Sequence, residues 1–66
     1  MQSGRLAYRN GDYETAYKEF LKEAKKGRLA ALNILGDMHR EALGVKQDYE
    51  EAIKWYRRAA AKGHVG

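Results

Sequence analysis

His39 and His64 are the only imidazoles in the chain, and Asp37 and Glu41 flank His39 at two residues on either side. A carboxylate beside an imidazole can orient a general base, but nucleophilic catalysis also requires a hydroxyl or thiol within its reach. Cysteine is absent, and Ser3 and Thr15 are the only hydroxyls outside the tyrosines, neither in a nucleophile pattern with His39. No catalytic residue is assigned, and the chain reads as a non-enzyme. Zinc would call for closely spaced histidines or cysteine pairs, and neither occurs, so no metal ligand is assigned. Gly11, Gly27, Gly36, Gly44 and Gly63 are scattered rather than clustered ahead of a helix, which rules out a phosphate loop and leaves no cofactor site. His39 is expected to be a packed residue of its helix.

The charged residues are the next candidates. Thirteen bases against nine acids give a formal charge of +4 and a pI near 9.5, a balance that invites a nucleic-acid reading. Most bases, however, stand one turn from an acid, as Lys18 does with Glu14 and Lys22 with Glu19 and Glu23, or at helix ends. That distribution predicts a solvated face. The tyrosines and Trp55 fall at helical spacing, which predicts core rather than a stacking platform for bases.

These residues must be placed by helices, because the chain repeats itself. A shift of 36 places lays Asp12-Tyr13-Glu14-Thr15-Ala16 on Asp48-Tyr49-Glu50-Glu51-Ala52, and Phe20, Ala24, Lys26 and Gly27 on Tyr56, Ala60, Lys62 and Gly63. Asp12 and Asp48 can cap helix starts, and Asp48 with Glu51 has capping-box spacing. Gly27 and Gly63 stand where a positive φ ends a helix, with Lys25, Lys26 and Lys62 before them complementing the dipole. Helices are therefore predicted from about 12 to 26 and from about 48 to 62. Their apolar stripes run through Tyr13, Ala16, Tyr17, Phe20 and Ala24, and through Tyr49, Ala52, Ile53, Tyr56, Ala59 and Ala60.

The span from Arg28 to about Ala42 carries a broader apolar surface and predicts a helix contacted on more than one side. A short helix from about Gln2 to Arg9, ending at Asn10-Gly11, completes the set. There is no proline and no useful strand alternation, so the predicted class is all-α, with four antiparallel helices. Hydrophobic residues are 44% and charged residues 33%, too apolar for disorder and without a membrane-spanning run, as expected of a soluble folded domain. Met1 to Arg5 holds no signal-like segment, and the compartment stays open.

From Leu35-Gly36-Asp37 through Gly44-Val45-Lys46-Gln47-Asp48 to Ala52-Ile53-Lys54-Trp55-Tyr56 and Ala59-Ala60-Ala61-Lys62-Gly63-His64, the chain resembles a Sel-1-like repeat of the tetratricopeptide superfamily. His39 stands where that pattern has an aromatic, and Ala42 where it has a glycine. The first half, from Gly4 to Ala24, is similar to an ordinary tetratricopeptide repeat: Gly4 to Ala16 spans 12 residues, whereas Gly36 to Ala52 spans 16.

The resemblance implies two helix-turn-helix repeats in a short right-handed α-solenoid: a tetratricopeptide-like repeat over 2–27, a Sel-1-like repeat over 28–63, and the start of a further repeat over 64–66. Small residues at Gly36, Ala52 and Ala59 would let helices approach closely, with Trp55 or Tyr56 filling the space beside them. It further implies a concave surface, lined by the first helix of each pair, that holds a peptide or partner domain. The residues expected on that face are Arg5, Arg9, Asn33, Asp37 and Arg40. Certain tetratricopeptide domains grip a terminal carboxylate there, but Asp37 would repel one.

The function expected is a protein-binding scaffold or adaptor. Two alternatives stand beside it: a self-assembling unit joined through an uncovered last helix, and a weak basic nucleic-acid binder.

Overall fold

A computed structural model of the chain describes residues 4–63, and all its regular elements are helices. They are α1 (Gly4–Arg9), α2 (Tyr13–Lys25), α3 (Leu29–Glu41) and α4 (Tyr49–Gly63). The predicted residues Gln2 and Ser3 of the first helix, and the 64–66 segment, lie outside the described residues. Close packing is sequential: α1 against α2, α2 against α3, α3 against α4. α3, the helix with the broad apolar surface, is accordingly held between α2 and α4, as α2 is between α1 and α3.

The helix ends follow from local chemistry. Asp12 caps α2, its Oδ1 accepting from Thr15 N at 3.4 Å. Gly27, with φ of +82°, closes the same helix: its N–H donates to Ala24 O at 2.9 Å while Arg28 N donates to Glu23 O at 3.2 Å. Asp48 Oδ1 accepts from the amides of Glu50 and Glu51 at 3.1 and 3.2 Å. Only this half of the expected capping box forms. The Asp48 amide instead donates to the free carbonyl of His39 at the end of α3, and the Glu51 carboxylate pairs with Lys54.

Gly63 departs from expectation: α4 runs through it, and its φ is not positive. The bonds that turn the chain at Gly27 come from the two residues that follow the last helical turn, a condition local to that site. The residue in the left-handed region at the end of α3 is Ala42, at φ 56° and ψ 47°.

The core is built from Ala7, Ala16, Phe20, Ala31, Leu35 and Met38, with Leu35 and Met38 fully buried. Alanine and glycine bring the helices close. A Cβ on Gly36 would stand 2.6 Å from the Tyr56 ring, and one on Gly4 would stand 3.1 Å from the Phe20 ring, so the same glycine-on-aromatic contact recurs in both hairpins. Ala52 and Ala59 are buried as expected, but Tyr49 and Ile53 of α4 are 61% and 49% exposed.

Candidate functional site: the groove between α1 and α3

α1 and α3 both pack on α2 but not on each other, which leaves a groove whose floor is the Phe20 ring. One cavity of about 300 Å³ is lined by Arg5, Tyr8 and Arg9 of α1, Phe20 of α2 and Ile34 of α3. A second of about 330 Å³ adjoins it through Arg5 and Phe20 and extends to Glu23, Arg28 and Ala31. Apolar volume bordered by a few convergent charges is the general form of a binding cleft.

The charges in the groove and along α3 differ in how far they are satisfied. Arg28 Nε lies 2.5 Å from Glu23 Oε2, so Glu23 is spent across the α2–α3 turn rather than on Lys22, which pairs with Glu19 at 3.4 Å. Asp37 accepts a hydrogen bond from the Tyr56 hydroxyl and lies 3.5 Å from Arg40, whose other neighbour is Glu41 at 3.6 Å. Arg5 and Arg9, one turn apart on α1 and exposed, have no acidic partner among the described residues.

The aromatic residues are locked by one another. Tyr8 packs edge-on against Tyr13 at 5.3 Å and Phe20 at 6.4 Å between centroids. Burial raises the Tyr8 phenol above its ordinary value, and the carboxylates of Glu41 and Asp37 push it the same way. Tyr17 joins α2 to α3: its hydroxyl and Nε2 of His39 are hydrogen-bonded at 2.9 Å, with the rings edge-to-face. His39 is thus a packed residue, 9% exposed, with Nδ1 buried and unpartnered.

Of the residues expected on the concave side, Arg5 and Arg9 share one cavity. Asp37 and Arg40 form an ion pair on α3 and line neither cavity. Asn33 is exposed and lines neither cavity; its neighbour Ile34 does. Phe20, Ile34 and Tyr8 were not anticipated as lining residues, because periodicity assigns an apolar residue to the core whether it is sealed there or forms the floor of a groove; Arg28 reaches its cavity through the reversal of the chain at Gly27. Among the described residues no three histidines, cysteines or carboxylates converge to hold a metal, and no helix is long and apolar enough to cross a membrane.

The family model described as Sel1 repeat matches residues 29–64, which takes in α3, the 42–48 turn and α4. The chain belongs to the Sel1 repeat family. No curated protein matches it. Sel1 repeats are helical solenoid units that generally serve protein–protein interaction rather than catalysis. Within this Sel1 repeat the glycine of the Leu35-Gly36 pair is the contact point for Tyr56, and the Gly44 turn lies against the backbone of Tyr13 at the start of α2. The motif residues are therefore largely packing residues, and recognition must fall to side chains around them.

Proposed function

We propose that this Sel1 repeat chain is a scaffold or adaptor module that holds a peptide or partner domain along the side formed by α1 and α3. The reading is carried by one observation: two adjoining cavities lie between those helices over a shared Phe20 floor. Solenoid repeats use the surface made by successive first helices in this way. Arg40, on α3 outside both cavities and paired with the part-exposed Asp37 and the exposed Glu41, tests it: such pairs contribute about 0–1 kcal/mol, so charge reversal leaves the fold intact. Peptides selected from a displayed library should lose affinity to Arg40→Glu and keep it with Arg57→Glu on α4. Equal affinity for both variants would move the site off this face.

A second reading, self-assembly, is favoured by α4. Tyr49 and Ile53 stand 36 places after Tyr13 and Tyr17, which α3 and its following turn cover, yet they are exposed. A second copy laid along α4 would supply the missing cover.

A further inference from the structure

We propose that the groove takes an acidic, extended peptide segment with one apolar anchor, the anchor resting on Phe20 and Ile34 and its neighbouring carboxylates meeting Arg5 and Arg9. This rests on the reading of the α1–α3 side as the binding face.

The argument begins with the two arginines. Both stand at the rim of the cavity over Phe20, and neither is neutralised within the described residues. Their i, i+4 spacing sets them about 5–6 Å apart at Cβ. Alternate residues of an extended strand are roughly 6–7 Å apart and point the same way, so two carboxylates separated by one residue match the pair. Guanidinium is suited to this, since its planar fork accepts a carboxylate at two points.

The anchor follows from the floor. Phe20 and Ile34 offer apolar surface in a cavity of about 300 Å³, room for a leucine-sized side chain. The carboxylates belong on the α1 bank, because α3 carries Asp37 and Glu41, which line neither cavity but lie within electrostatic reach of Tyr8. Asp37 is already engaged by Tyr56 and Arg40 and would repel a carboxylate on that side. Side-chain carboxylates within the segment, rather than a chain terminus on α3, are therefore what the charge pattern accepts.

A nucleic acid fits less well. Its phosphate backbone needs a continuous positive track, and Asp37 and Glu41 interrupt one; its bases need open aromatic faces, and Tyr8 is packed edge-on by Tyr13 and Phe20.

The test is an amide-resolved NMR titration of the full chain with four probes: a capped peptide of one leucine among alternating glutamates, its lysine twin, its alanine-for-leucine twin, and an oligothymidylate. The acidic leucine peptide should move amides of 5–9 and of Ile34, weaken as salt rises, and lose at least tenfold in affinity to Arg5→Glu/Arg9→Glu at unchanged helix content; the alanine twin should bind more weakly. If the double variant loses helix, Arg9→Gln alone should still weaken the acidic peptide several-fold. Equal binding of the lysine twin at the same amides would leave the binding face standing and overturn the acidic preference. Shifts confined to α4, or none with either peptide, would overturn the face itself, and tighter binding of the oligothymidylate at 5–9 would replace the peptide with a nucleic acid.

Discussion

The ring of Tyr56 lies against Gly36 so closely that a Cβ there would meet Cε1, Cδ1 and Cζ at 2.6, 2.8 and 2.9 Å. Helix propensity alone favours alanine over glycine by about 1 kcal/mol. Overpacking costs about 1–3 kcal/mol, and the ring has little freedom to yield because its hydroxyl is held by Asp37. Gly36→Ala should therefore destabilise, lowering the melting temperature by several degrees in circular dichroism. Gly4→Ala, facing Phe20 at 3.1–3.2 Å, should cost less, since that ring has no polar tether. A more stable Gly36→Ala variant would mean that α4 can back away from α3.

The same tyrosine predicts how stability responds to base. Burial, then the hydrogen bond and charge of Asp37, push the Tyr56 phenol up to about 12, with Arg40 acting in the opposite direction. In the unfolded chain a phenol titrates near 10. The folded state thus holds a proton that the unfolded state releases, and the stabilisation is complete below about pH 10 and lost as pH rises from about 10 to 12. Urea midpoints should fall across that window. Tyr56→Phe should cost about 0.5–1.5 kcal/mol at neutral pH and flatten the alkaline fall, leaving the smaller slopes of Tyr8 and Tyr17, whose phenols burial also raises. An unchanged slope would place the sensitivity elsewhere.

The helices were legible because their ends are written locally. Asp12, Asp48 and Gly27 act within three residues of themselves, and the 36-residue shift shows α2 a second time as α4. What local pattern omits is the neighbour. Periodicity marks Tyr49 and Ile53 as apolar-face residues, but whether another helix covers that face is a tertiary fact, and here α4 packs on α3 alone and leaves them 61% and 49% exposed. Glu23 reads as a partner of Lys22 until the chain reverses at Gly27 and delivers Arg28 to it at 2.5 Å. The groove was hidden for a related reason: Phe20 is 5% exposed and counts as core, although its surface is also the floor beneath Arg5 and Arg9.

Ala42 carries a backbone conformation that glycine holds at less cost. Its φ of 56° places it in the left-handed region, while Leu43 N donates to Met38 O at 2.9 Å to close α3. A left-handed residue with a Cβ costs roughly 1–2 kcal/mol, against about 0.5–1 kcal/mol of extra chain entropy lost by glycine on folding. Ala42→Gly should consequently stabilise by roughly 0.5–1 kcal/mol, which for a domain of this size is about 2–8 °C in melting temperature. A loss of stability would show that the Ala42 methyl makes a contact worth more than the strain.

Ile53 decides between a monomeric module and an assembling one. Tyr17, its counterpart 36 residues earlier, is hydrogen-bonded to His39 of α3, and Tyr13, the counterpart of Tyr49, lies under the Gly44 turn. Repetition of that packing by a second copy would bury Tyr49 and Ile53, now 61% and 49% exposed. Their burial would offset the entropy of association only above some concentration. Sedimentation equilibrium over about a hundredfold range should then find the mass rising with concentration, and Ile53→Glu, at a site where the charge stays in water in the monomer, should hold the chain monomeric without loss of helix. A monomer at every concentration would leave the groove between α1 and α3 as the interaction surface; a variant that still associates would place the contact away from α4.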